Sequence, residues 1–200
     1  MRRSLFFALA AAAVLMAGCG SDSTGPGGDN GGTGGTGGTG GGGGTNPPAG
    51  ASFTAQLSGG VTASFTGTAA YGADTEAGDD AFGIGMSAGD TASVIGSIVL
   101  WRLNSAKPGT GTYAVADIST GNDPDANQFG AAVLLANHGQ PEEVCQSTGG
   151  SVQITGSGDH LKGNFTLQLT CLDTSNPSTP VTASATGQFD AVGGVVSGQP

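Results

Sequence analysis

Gly163-Asn164-Phe165-Thr166-Leu167-Gln168-Leu169-Thr170-Cys171 is the stretch that decides the fold. Phe165, Leu167, Leu169 and Cys171 fall at every second position, with Asn164, Thr166, Gln168 and Thr170 between them. Successive side chains of an extended chain point to opposite faces. A period of two therefore gives one apolar face for a core and one polar face for water, as a half-buried antiparallel strand requires.

The same habit extends in both directions. Upstream, Val152 and Ile154 alternate with Ser and Gln or Thr, and Ser157-Gly158-Asp159-His160 turns the chain back. Downstream, Val181, Ala183, Ala185, Gly187 and Phe189 repeat the pattern. At the other end Phe53, Ala55 and Leu57 lead into Gly59-Gly60, and Val61, Ala63 and Phe65 resume it, which predicts a hairpin. Further strands are expected in 81–88, 91–103, 111–117 and 128–137. The run Val94 to Leu103 is almost wholly apolar, which suits a central strand covered on both faces. No segment carries apolar residues at helical spacing. Nine or ten short strands with Gly-rich turns predict an all-β domain over 51–200. An antiparallel β-sandwich is preferred and a β-barrel is the alternative, because a barrel demands a stricter strand count than the uneven loops suggest.

Residues 20–50 read as a different polymer. Gly31-Gly32-Thr33 recurs three times to Thr39, and Gly40 to Gly44 follow without interruption. With nothing larger than Pro or Ala to bury, such a segment cannot offset its ordering entropy. The expectation is a disordered tether with a typical reach of roughly 30 Å. A phosphate-binding loop is excluded, since no Lys follows the glycines and no strand precedes them.

Ahead of the tether, Arg2 and Arg3 precede an apolar run from Leu5 to Met16, too short to span a bilayer as a helix. Small residues follow in Met16-Ala17-Gly18-Cys19. This resembles the lipobox of bacterial lipoproteins, with Met16 where the family usually has Leu. The resemblance implies a signal peptide over 1–18, lipidation of Cys19 and membrane attachment through several acyl chains, which anchor where one chain would not. Gly20, in the place where Asp favours inner-membrane retention, implies outer-membrane sorting. Within 51–200, Pro108-Gly109-Thr110-Gly111-Thr112-Tyr113, Gly149 to Thr155, Gly163 to Leu167, and Val181-Thr182 through Gly187-Gln188-Phe189 are similar to a pattern in bacterial lipoproteins that carry a β-rich domain of unknown function. That likeness supports fold and address and transfers no catalytic residue.

With Cys19 lipidated, Cys145 and Cys171 remain, and an even pair in an exported chain is expected to form a disulfide. The domain holds three basic residues, Arg102, Lys107 and Lys162, against thirteen acidic ones, a balance that argues against nucleic acid and anionic lipid surfaces as partners. Two acidic clusters stand out. Asp74, Glu76, Asp79 and Asp80 lie in a Gly/Ala-rich stretch. Asp123, Asp125 and Asn127 offer oxygens at alternate positions, a weak candidate Ca²⁺ loop without the Gly and Glu of an EF-hand.

Candidates for catalysis are sparse. His138 has Glu142 and Glu143 nearby, His160 falls in the predicted turn, and neither a Gly-x-Ser-x-Gly elbow nor a His-Glu-x-x-His helix occurs. Trp101 and Tyr113 could contact a carbohydrate or peptide, although a lone Trp in an apolar strand suits a core. The sequence thus leads to an envelope lipoprotein, outer-membrane and lipid-anchored. No cofactor and no enzymatic role are expected of it, and the β module is expected to serve interaction with an unknown protein or glycan. A binder of small apolar ligands or carbohydrate is the first alternative and a hydrolase the second.

Overall fold

The computed structural model describes residues 51–74, 80–88, 95–137, 140–173 and 179–194. The expected signal peptide over 1–18, Cys19 and the Gly-rich segment lie outside them, as do His138 and, of the first acidic cluster, Glu76 and Asp79. Nine strands are described: β1 Ser52–Gly59, β2 Ala63–Asp74, β3 Ala81–Ala88, β4 Ile95–Arg102, β5 Gly111–Ala114, β6 Gly130–Asn137, β7 Gln140–Ser157, β8 His160–Asp173 and β9 Val181–Gly193.

They form one sheet in the order β5-β7-β6-β4-β3-β2-β1-β9-β8, and β8 also pairs with β7. That pairing closes eight strands, all but β5, into an antiparallel ring. The all-β antiparallel class is as the alternation required, and of the two architectures the barrel is the one formed in place of the preferred sandwich. The uneven loops that argued against a barrel have a physical source. β7 is 18 residues long and carries register shifts at Ser147/Gly149 and Ile154/Gly156. Bulges bend a strand and increase its twist, so one long strand can turn a corner of the ring. Its first half pairs with β6 and its second half with β5. Gly150 serves this bend, at a φ of +128° and with its Cα so close to β8 that a Cβ would lie 2.1 Å from the Thr166 carbonyl oxygen. Where β1 begins, β2 and β9 extend past it and meet directly, Ala70 opposite Val192 and Tyr71 opposite Gly193.

The predicted hairpins are in place. Phe53, Ala55 and Leu57 of β1 are buried while Ser52, Thr54, Gln56 and Ser58 are exposed. β8 buries Leu161, Gly163, Phe165, Leu167, Leu169 and Cys171 and exposes the residues between Leu161 and Leu169. Inside the ring, Phe53, Phe65, Phe82, Phe129, Phe165 and Phe189 pack with Ile84, Met86, Ile98, Leu100 and Leu167. Small barrels fill their interior by setting large residues against small ones. Here the small partners are glycines. The Phe165 ring lies over Gly187, its Cζ 2.4 Å from where a Cβ would stand, and reciprocally the Phe189 ring lies over Gly163, its Cζ 2.6 Å from that position.

β4 is covered on both faces, as its sequence suggested, but the second cover is a loop. Val99 and Trp101 face outward, where residues 103–129 leave the ring and lay Ile118 and Ala116 over them and Ala132. Gly130 leaves room for the Trp101 ring. The buried Ser147 hydroxyl pins this excursion, donating to the Ala116 carbonyl at 2.8 Å and accepting from the Ala131 N–H at 3.1 Å. Trp101 is thus core.

Candidate functional site

Because the interior is filled by side chains, the functional question moves to the barrel's ends and outer wall. At the end where β2, β4, β7 and β9 finish, the 103–110 loop crosses the mouth. Lys107 Nζ donates to Tyr71 Oη at 2.8 Å and to the Gly158 carbonyl, and lies 4.4 Å from the Tyr71 ring centroid. Ser157 Oγ donates to the carbonyl of the buried Pro108 at 2.8 Å. Tyr113 is occupied too: its hydroxyl donates to the Gly109 carbonyl at 2.9 Å, its ring meets Phe129 edge-on, and the Arg102 guanidinium lies 5.6 Å from its centroid. Trp101 is buried, and Tyr113 is half-buried with its hydroxyl and ring both engaged by neighbours.

The outer wall over β1, β9, β8 and β7 carries a groove of about 350 Å³. Its sides are Ser52, Thr54, Thr155, Lys162, Asn164, Gln188 and Asp190, and its floor is formed by Phe53, Gly163 and Phe189. The strand register puts these side chains together. Asp190 stands opposite Ser52 on one side and Lys162 on the other, and Gln188 stands between Thr54 and Asn164.

Asp190 holds the charged end. Lys162 Nζ is 2.9 Å from its Oδ2, and His160 Nδ1 is 2.5 Å from its Oδ1. Partial burial alone would push the carboxyl up, but the hydrogen bonds from Lys162 and His160 outweigh it and hold Asp190 below its ordinary 3.8. A carboxyl lowered in the folded state stabilises the fold above its unfolded pKa, and that contribution is lost as pH falls through the folded value. Asp190→Asn is therefore expected to be less stable at pH 7, by no more than about 1 kcal/mol for so accessible a cluster. Urea denaturation across a pH series should show the gap closing below about pH 4. A gap constant down to pH 2 would mean that the carboxylate's charge contributes nothing.

The remaining candidates fall as follows. Cys145 and Cys171 face each other in the β7–β8 register and are joined, their sulfurs 2.02 Å apart. Cys145 lies within β7. Asp123, Asp125 and Asn127 are exposed in a turn closed by the Gln128 N–H donating to the Asp125 carbonyl at 2.9 Å. Among the described residues no three of His, Cys, Asp and Glu are placed to share a metal ion. His160, expected only as a turn residue, belongs to the Asp190 cluster. The sequence signal was its place two residues before Lys162 on one strand face, but the partner on β9 depends on register. Comparison with protein-family models, curated proteins and solved structures finds no match.

Proposed function

We propose that this chain is a lipid-anchored envelope protein whose barrel is a non-enzymatic interaction module working through its outer wall. The observation that carries the module reading is the filled interior, six phenylalanines deep, beside a groove of hydrogen-bonding side chains outside. An apolar ligand needs a lined internal space, and the interior volume is already taken by side chains. Asp190, the carboxylate of the groove, is committed to Lys162 and His160, which suits a fixed recognition element more than a proton-transfer group. The Cys145–Cys171 bridge supports export to an oxidising compartment. The lipobox-like Met16-Ala17-Gly18-Cys19 supports the anchor. The polar outward residues of β1 and β8 suit a barrel in water, where a membrane barrel presents an apolar band.

The test is made in the producing cell. Labelled palmitate should be incorporated into the parent chain and not into Cys19→Ser, which should leave the membrane fraction. A photo-crosslinking residue at Gln188 should give adducts that one at Asp123, on the opposite excursion, does not. Equal labelling of Cys19→Ser would remove the anchor, and identical adducts from both sites would remove the outer wall as the working surface.

A further inference from the structure

The groove is one part of a longer regular feature. Thr54 on β1 stands opposite Gln188 on β9, Gln188 opposite Asn164 on β8, Asn164 opposite Gln153 on β7, and Gln153 opposite Thr112 on β5. All five are exposed, so they form one outward row running across five strands. Neighbouring strands lie about 4.8 Å apart, which makes the row roughly 19 Å long with a hydrogen-bonding side chain at each step. Next to it, Gln56, Thr186, Thr166 and Ser151 form a parallel row, again without a charge.

Charge distinguishes this wall from the rest of the domain. Among the described residues, Asp190 is the one acidic side chain that lines the groove, and Lys162 neutralises it. The site therefore attracts neither cationic nor anionic polymers strongly. The row is also held in place before any ligand arrives. Asn164 Nδ2 donates to Gln153 Oε1 at 3.0 Å, which orients both amides and leaves Asn164 Oδ1 and the Gln153 amino group for an incoming molecule. Ordering such side chains beforehand lowers the entropy cost of binding.

We infer that the row Thr54-Gln188-Asn164-Gln153-Thr112 binds a neutral, hydroxyl-rich glycan chain laid across the strands. The strand spacing is close to the length of one extended sugar unit, so successive sugars meet successive strands. Hydroxyls and side-chain amides match the alternating donors and acceptors of a sugar edge. The Lys162–Asp190 pair at the groove's rim offers one donor and one acceptor to a further hydroxyl and gives the site an end. This rests on the reading of the barrel as an outer-wall interaction module, and it names the ligand class of that wall.

The test is affinity electrophoresis of the full-length chain in detergent, in gels containing hydroxyethyl cellulose, soluble mannan or dextran, with alginate as the anionic comparison. Retardation is expected in at least one neutral polymer and not in alginate. Asn164→Ala and Gln188→Ala should each weaken it roughly five- to tenfold. Ser184→Ala, on the same wall but off the row, should leave it unchanged. Unchanged thermal melts for the three variants would exclude misfolding as the cause. No retardation in any neutral polymer, retardation by alginate alone, or retardation indifferent to Asn164→Ala and Gln188→Ala would overturn the proposal. If adducts from Gln188 persist in the cell while every neutral polymer fails, the module reading stands and the glycan does not.

Discussion

Gly187→Ala is expected to cost about 3 kcal/mol of stability, an unusually large effect for adding one methyl group. Gly187 sits in β9 between β1 and β8. A Cβ there would lie 2.4 Å from Phe165 Cζ and 2.4 Å from the Thr54 carbonyl oxygen. The ring could move only by disturbing a core in which Phe165 and Leu167 are buried, and the carbonyl could move only by shifting the β1–β9 ladder. Phe165→Ala, leaving a ring-sized void, should cost about 3–5 kcal/mol by itself. The two changes touch the same space, so they should not add. In the double variant the new methyl occupies part of the vacated ring volume, and its cost should fall short of the sum by about 1 kcal/mol or more. The carbonyl overlap remains, so the rescue is partial. Thr186→Ala, one residue away on the exposed face, should stay within about 0.5 kcal/mol of the parent. Urea denaturation of the four variants measures all of this. Strict additivity, or a Gly187→Ala cost below about 0.5 kcal/mol, would mean that the ring does not lie over the glycine.

That the Phe165 ring lies over Gly187 and the Phe189 ring over Gly163 was not legible beforehand, and the reason shows where sequence reasoning reached its limit. The alternation of Phe165, Leu167, Leu169 and Cys171 is a local property, so β8 and its buried face were legible without knowing any neighbour. The hairpins at Gly59-Gly60 and Ser157–His160 were legible for the same reason, since the turn and both strands are contiguous. Gly163 and Gly187 fall on the buried face too, but what each faces depends on register between two strands, which periodicity does not fix. Closure was illegible for a related reason. Sandwich and barrel share hairpins and differ in whether long strands bend enough to meet, and here the decision rests on the bulges in β7. The Asp190 cluster followed the same rule, because Lys162 and His160 were visible two residues apart while Asp190 comes from another strand. The five-residue row was hidden as well. In sequence it is single Thr, Gln and Asn residues on five strands.

Removing the disulfide by Cys145→Ala and Cys171→Ala together should lower stability by about 3–4 kcal/mol. The cysteines are 26 residues apart, and tying a loop of that size in the unfolded chain removes conformational entropy worth about 3.5 kcal/mol at 25 °C. The position concentrates the effect. The β7–β8 hairpin is held at one end by its turn and at the other by this bridge, and the β7–β8 pairing is one of the seams that closes the ring. Both cysteines are fully buried, so a reductant reaches the sulfurs only after the strand ends separate. Iodoacetamide should therefore label the folded chain at neither cysteine, even with dilute reductant present, and label both once urea and reductant act together. In the double variant, hydrogen exchange should quicken first at 143–147 and 169–173, where the staple was, and last near the 157–160 turn. A variant as stable as its parent would show that the bridge adds nothing beyond the ladder. Uniformly faster exchange along the whole hairpin would show instead that β7 and β8 open as one unit, with the bridge stabilising the entire seam.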